Sequence, residues 1–296
     1  MHLVAVDWGT SSLRGALLDG TGTVLAEQGH PRGILSVPAG GFPEVFESLF
    51  AEWMRPEGTR CIISGMAGSQ QGWVEAPYCA CPAGLGEVAR SIIDIQPGRI
   101  ALVPGLRDEH AGVPDVMRGE EVQIFGAIAL TGLRDGVFVL PGTHNKWVRV
   151  KDGRVEGFRT FMTGEFYALL SQHSIIARTL DADAPLDEAA FLQGVAQSDN
   201  GEGLLHNAFG ARTLALFNRT PKAHLSSYLS GLLIGEELRT QSLKTSGEVV
   251  LIGSPALTQR YALAIGAAGV ATRTLGAEAT WAGLHALALI QHNPTP

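Results

Sequence analysis

Residues 4–19 read VAVDWGTSSLRGALLD: an apolar run, a polar turn around Gly9 and Thr10, then a second run of extended character. A Gly-Thr-Gly turn and the run TVLAEQ follow, so residues 3–28 predict strand, turn, strand, turn, strand. Gly9 and Gly22 are expected to supply the backbone freedom of the two turns, because glycine enters left-handed conformations without steric cost. The same form returns at residues 137–160. There LPGTHNKWVRV (140–150) places a turn at Gly142 and Thr143 between two strands, and Asp152-Gly153 predicts a hairpin into a third. Two meanders of one form point to a duplicated α/β architecture with one copy in each of two domains.

Either turn alone is an ordinary polar hairpin. Paired, they read differently. Asp7 ends a buried strand, Gly9 lets the backbone approach a ligand, and Thr10, Ser11 and Ser12 offer hydroxyls and amides to phosphate oxygens. Gly142 and Thr143 do the same in the second meander. Two such turns facing across an interdomain cleft would grip a triphosphate without a Walker-type glycine loop, which the sequence lacks.

The chain has 296 residues, room for two domains that each bury a core. Mean hydropathy is +0.14 and the net charge is −7, with no basic run, so the footprint of a nucleic-acid binder is missing. Anionic ligands must then be met by local Arg, Lys, backbone amides or a metal. No segment reaches the ~20 apolar residues of a membrane span, and no export signal is seen, so a cytoplasmic protein is expected. Cys61, Cys79 and Cys81 lack the paired spacing of a zinc site. Nothing in the sequence sets the oligomeric state, and a homo-oligomer is allowed.

Between the meanders, residues 43–54 predict an amphipathic helix, 61–64 and 100–103 buried strands, and 65–90 a functional surface loop. Residues 115–131 predict a helix bearing Glu120 and Glu121 near its start. Beyond the second meander, helices are expected near 187–198, 201–217 and 225–240. The end reads as a strand (249–252), a turn at Gly253-Ser254-Pro255, a helix (256–267), a short strand (269–274) and a last helix (277–291). The domain boundary is placed between residues 134 and 135, with the last helix packing back on the first domain.

VAVDWGTSSLRGALLD, LPGTHNKWVRV and VVLIGSPALTQRYALAI (249–265) resemble, in order, the two phosphate motifs and the adenosine motif of the acetate and sugar kinase, heat-shock and actin superfamily. SGMAGSQQGWVEAPY (64–78), PDVMRGEEVQIFGA (114–127), LPGTHNKWV and MTGEFYALLSQHSI (162–175) further resemble the 2-dehydro-3-deoxygalactonokinase family over nearly the whole length. The resemblance implies two actin-like ATPase domains of ribonuclease H-like fold, mixed sheets flanked by helices, with an interdomain cleft. It implies transfer of the ATP γ-phosphate to the 6-hydroxyl of 2-dehydro-3-deoxygalactonate, in galactonate breakdown. An actin-like ATPase acting as a regulator or assembly protein, and a kinase of another small sugar, stay open as alternatives.

Phosphoryl transfer needs charge neutralisation, an in-line nucleophile and a base or orienting carboxylate. Asp7 is the candidate holder of Mg2+ through water, against the alternative of a turn aspartate capping its own backbone. Arg14 matches an arginine that lies near substrate or phosphate in carbohydrate kinases. Those kinases carry a catalytic Asp in a Gly-Asp pair before the second phosphate motif, where this chain has Gly119-Glu120-Glu121. Adjacent helix residues point about 100° apart, so one of the two faces the ligand, and Glu120 is preferred. For the sugar acid, Ser69, Gln70, Gln71, Arg118, Glu165 and His173 are candidates, as carboxylates call for cations and hydroxyls for amides, Glu or His. Lys146 and His144 are read either as partners of the γ-phosphate or as hairpin surface. Trp73 and Trp147 are expected to pack. Gly253 and Ser254 would let a nucleoside lie close to the backbone.

Overall fold

The computed structural model describes residues 2–241, 243 and 247–292. In chain order it comprises β1 (Leu3–Trp8), β2 (Leu13–Leu18), β3 (Val24–His30), α1 (Phe42–Phe50), β4 (Arg60–Gly65), β5 (Tyr78–Ala80), β6 (Ala83–Gly84) and α2 (Leu85–Arg90). Then come β7 (Ile93–Gln96), β8 (Ile100–Leu102), β9 (Gly105–His110), β10 (Val113–Met117) and α3 (Glu120–Thr131). The second meander is β11 (Gly136–Leu140), β12 (Asn145–Lys151) and β13 (Arg154–Phe161), followed by α4 (Thr163–His173), α5 (Glu188–Gln197), α6 (Leu204–Leu216) and α7 (Lys222–Arg239). The chain closes with β14 (Val249–Ile252), α8 (Pro255–Ala267), β15 (Thr272–Leu275) and α9 (Glu278–His292). Two compact units result: Met1–Asp135 with Val148–Phe158 and Ala277–Pro296, and Gly136–Trp147 with Arg159–Gly276.

In the first unit a six-stranded sheet has the order β3-β2-β1-β4-β8-β7. β1 is apolar at nearly every position because it is a central strand, antiparallel to β2 and parallel to β4, and buried on both faces. β3, at the edge, alternates exposed and half-buried residues. α1 sets Phe42, Val45, Phe46 and Phe50 at helical spacing against Val4, Val6 and Ile63. Within the second unit β14 runs parallel to both β11 and β15, as β4 does to β1 and β8. No described helix is long and apolar enough to cross a membrane.

Two expectations need correction. The helix expected over 115–131 begins at Glu120, and Val113–Met117 is a strand paired with β9. Gly119, at φ +105°, breaks the path between them, a conformation that no helix can propagate through. The stretch 65–90 is not one loop: it holds a 3₁₀ turn at Met66–Gly68, β5, β6 and α2. β5 finds its partner in β9, far along the chain, and local sequence carries no trace of such a pairing. The turns divide as well. Gly22 has φ +88°, and Asp152 and Gly153 have φ +53° and +75°, as a two-residue hairpin requires. Gly9 is not in the left-handed region; its turn closes by Gly9 N–H donating to Ser12 O at 2.9 Å.

Each unit also brings two helices together through a pair of glycines. A β-carbon on Gly126 of α3 would overlap Ala279 O of α9, and one on Gly283 of α9 would overlap Val122 O of α3. Gly194 of α5 and Gly231 of α7 stand in the same relation to Tyr228 O and Phe191 O. Gly266 of α8, by contrast, faces open space. Gly126→Ala and Gly231→Ala are therefore expected to destabilise by about 1–3 kcal/mol, the usual cost of overpacking. Gly266→Ala is expected to be neutral or to stabilise by up to about 1 kcal/mol. Urea denaturation of the three variants checks the contrast, and equal losses in all three would contradict it.

Candidate active site

In the first unit the carboxyl ends of β1 and β4 lie side by side, with Asp7 opposite Ser64 and Trp8 opposite Gly65. Ligands of open α/β sheets gather at this end of the strands. Asp7 is half-buried, and its Oδ2 accepts from Arg14 Nη2 at 2.5 Å. Asp7 and Arg14, singled out separately in the sequence, thus form one ion pair across the β1–β2 turn. Thr10, Ser11 and Ser12 are exposed at its tip. The turn is braced from behind: Gly9 O accepts from Ile34 N–H and Thr10 O from Leu35 N–H, and a β-carbon on Gly33 would overlap the Thr10–Ser11 backbone. No local motif marks Gly33, because its role is a contact with a turn more than twenty residues earlier.

Gly119 packs on this same strand end, where a β-carbon on it would lie 3.2 Å from Gly65 Cα. The two glutamates that follow are held by backbone donors upstream, a favourable place for acidic groups at a helix start. Glu120 Oε2 accepts from Arg118 N–H at 3.0 Å and remains partly accessible. Glu121 is fully buried, and both its oxygens accept from Gly119 N–H, at 3.0 and 2.8 Å. Arg118 is buried too: Nη2 donates to Ala76 O at 2.8 Å and the guanidinium lies over the Tyr78 ring, 4.3 Å from its centre. Its reach is directed onto the loop 66–76.

That loop presents Gln70 and Gln71 to a cavity of about 470 Å³, also lined by Gly40, Phe42, Pro43 and Trp73. Ser69 does not line it; its hydroxyl is buried. Trp73 packs against Phe42, Phe46 and Trp8, and so ties the cavity floor to the residue after Asp7.

In the second unit the carboxyl ends of the parallel pair β11 and β14 bring the turn at Gly142 and Thr143 and the turn at Gly253 and Ser254 to one end of the sheet. Gly253 N–H donates to Leu275 O, and a β-carbon on Gly253 would lie 3.4 Å from Pro141 O. Ser254 stands at the cap position of α8 with its side chain exposed. Gly142 N–H is committed to Asn145 Oδ1 at 2.6 Å, whereas the space where its β-carbon would stand is open. The start of α4 is pressed onto this turn: Glu165 N–H donates to Thr143 O at 3.0 Å, and a β-carbon on Gly164 would overlap Gly142 O. Glu165 is paired with His144 at 2.5 Å. His173, at the far end of α4, lies about 12 Å along the helix axis from Glu165 and is not brought to the turn. Lys146 is buried, donating to Thr160 Oγ1 at 2.7 Å, so it is not hairpin surface. A cavity of about 140 Å³ opens beside Gly142, lined by Asn145, Thr163, Tyr167, Leu257 and Tyr261.

Beneath the turn lies Glu237 of α7, buried and bonded to Asn145, Trp147, Thr163 and Tyr261. Nothing in the sequence marked it, since a glutamate in a helix rich in leucine and serine reads as one more solvated charge.

Burial raises the Glu121 carboxyl to about 8, and the neighbouring Glu120 adds to the effect. Its folded-state pKa lies above the usual 4.5. The stability contributed by its neutral form is therefore complete below about pH 4.5 and is lost as pH rises through about 8. Glu121→Gln keeps an acceptor for Gly119 N–H and removes the titration. The variant's Tm is expected to gain on wild type by several degrees between pH 5 and pH 8. A constant Tm difference over that range would show that Glu121 carries no buried proton.

The 2-keto-3-deoxy-galactonokinase family model matches residues 7–287. A Rhizobium meliloti protein named "Probable 2-dehydro-3-deoxygalactonokinase DgoK1" is 39% identical over 97% of this chain and 96% of its own. The Escherichia coli 2-dehydro-3-deoxygalactonokinase is 34% identical over 96% and 97%. The crystal structure of a Sinorhizobium meliloti protein of the same type matches with a TM-score of 0.90 at 38% identity, covering 99% of this chain and 100% of that one. At 14% identity, component A of (R)-2-hydroxyglutaryl-CoA dehydratase from Acidaminococcus fermentans shares the fold alone, with a TM-score of 0.54 over 98% and 96% of the two chains. The chain is a kinase of actin-like ATPase fold and belongs to the 2-keto-3-deoxy-galactonokinase family.

Proposed function

We propose that this chain transfers the γ-phosphoryl group of ATP to the 6-hydroxyl of 2-dehydro-3-deoxygalactonate, giving the 6-phosphate and ADP, as a step of galactonate catabolism in the cytoplasm. The match to the family over nearly the full length carries this proposal, and a phosphate-suited turn in each unit supports it.

The exposed hydroxyls of Thr10, Ser11 and Ser12 bind phosphate oxygens in the first unit. In the second, Gly142 serves by the open space beside it, because its N–H is taken by Asn145; Thr143 supplies the donor groups. Gly253 and Ser254 border the nucleoside. The residues fit a hydrated magnesium ion: Asp7 keeps Oδ1 for a water of the ion while Arg14 holds Oδ2. The metal, when bound, neutralises phosphate charge. Arg14 fixes the carboxylate and adds positive charge next to the phosphates. Glu165 and His144, joined as a pair beside Thr143, form the polar wall of that turn.

On the acceptor side, Gln70 and Gln71 hold sugar hydroxyls in the cavity floored by Phe42 and Trp73. Arg118 serves by bracing the loop that carries them, and Ser69 by its place in the same loop. Glu120, the accessible member of the glutamate pair, takes the proton from the acceptor hydroxyl as its oxygen bonds to phosphorus and the bond from phosphorus to ADP breaks. Glu121, sealed against Gly119, positions that turn. His173 is left without a part by its place at the far end of α4.

A coupled ADP-release assay with 2-dehydro-3-deoxygalactonate tests the proposal directly. Wild type is expected to turn over, and Glu120→Gln to lose about 10²–10⁴-fold in kcat with little change in the KM for ATP. Asp7→Asn is expected to raise the magnesium concentration needed for half-maximal rate by about tenfold or more. No turnover of this acid or related keto acids, or a Glu120→Gln variant with wild-type kcat, would overturn the assignment.

A further inference from the structure

Glu237 lies near the end of α7 and is 3% exposed. A carboxylate so placed is costly unless every lone pair finds a donor. Trp147 Nε1 donates to Oε1, while Asn145 Nδ2 (2.8 Å), Tyr261 OH (2.7 Å) and Thr163 Oγ1 donate to Oε2. Burial pushes its carboxyl upward, and these four donors pull it back. Gly142 N–H can only donate, so the Asn145 amide must turn its Oδ1 toward it, 2.6 Å away, and its NH₂ toward Glu237. Thr163 is the first residue of α4, and Glu165 of the same helical turn donates its N–H to Thr143 O. One carboxylate thus anchors the turn through Asn145 and the helix start beside it through Thr163. Gly194 and Gly231 let α5 and α7, the helix that carries Glu237, meet backbone to backbone.

We propose that Glu237 is the positioning residue of the second phosphate turn: it sets the placement of Gly142, Thr143 and the α4 N-terminus for the nucleotide phosphates without touching them. The proposal rests on the kinase assignment above for the use of that turn.

Binding of a non-hydrolysable ATP analogue with magnesium, measured by calorimetry with no acceptor present, reads this link independently of what the acceptor is. Glu237→Gln keeps the shape but sets an NH₂ against a group that can only donate, either the Trp147 indole N–H or the Asn145 NH₂. It is expected to weaken analogue binding by about tenfold or more and raise the KM for ATP, leaving the KM for the sugar acid within about twofold. Trp147→Phe removes a donor from the same carboxylate without touching the turn; it is expected to lower Tm while analogue binding stays within about twofold. The double variant Asn145→Asp with Glu237→Gln exchanges carboxylate and amide along the same link, and is expected to recover most of the lost affinity. Should Glu237→Gln not fold, Asn145→Ala reads the turn end of the link and is expected to weaken binding similarly. Equal weakening by Trp147→Phe, no recovery in the double variant, or full affinity in Asn145→Ala overturns the proposal. A wild type that binds the analogue but does not phosphorylate the sugar acid removes the proposed acceptor alone, and analogue binding still decides the role of Glu237.

Discussion

Two parallel strands that end at the same level leave a row of backbone groups with no ladder to join, and the chain must satisfy them with turns or with a ligand. Both units are built on that constraint. β1 with β4 and β11 with β14 are adjacent parallel pairs, and the candidate turns leave from their carboxyl ends. The antiparallel β1–β2 hairpin then folds Arg14 back onto Asp7, so an exposed hydroxyl cluster and a charge pair share one turn.

Holding those turns still falls to residues that meet no ligand in the proposed mechanism. Gly33 fits against the Thr10–Ser11 backbone, Gly164 against Gly142, and Gly119 against Gly65; at each a side chain would need the place of another segment's backbone or stand close against it. Where glycine does not suffice, a buried carboxyl group does the work: Glu121 clamps Gly119 N–H, and Glu237 gathers four donors under the second turn. Both lie on helices brought close to a neighbour by paired glycines, α3 against α9 and α7 against α5. Close helix approach and turn geometry are therefore one problem with one solution, repeated in each unit.

The repeated meander was legible in the sequence because its signals are local: apolar runs of strand length, Gly-Thr turns and the Asp152-Gly153 hairpin. The helices after residue 187 were legible for the same reason, to within a few residues at their ends. β10 was hidden because Val113–Met117 continues smoothly in polarity into α3, and only the positive φ of Gly119 separates them. β5 was hidden because its partner is distant in sequence. Among candidate site residues, Asp7, the Thr10–Ser12 hydroxyls and the Gly119-Glu120-Glu121 run carry their chemistry in their own motif. Glu237, Gly33 and Gly164 do not, since their parts are defined by contacts across tens of residues. Burial was the other missing quantity: two adjacent glutamates look alike in a sequence, yet one is sealed and the other partly open.

The proposed mechanism gives phosphate contacts to a turn in each unit and the acceptor hydroxyl to Glu120. A crystal structure with a non-hydrolysable ATP analogue, magnesium and 2-dehydro-3-deoxygalactonate tests it most directly. It should show phosphate oxygens bonded to Thr10–Ser12 and to Thr143, with a Glu120 carboxylate oxygen about 2.6–3.2 Å from the 6-hydroxyl. Phosphates bound away from either turn, or an acceptor hydroxyl with no carboxylate in reach, would contradict it.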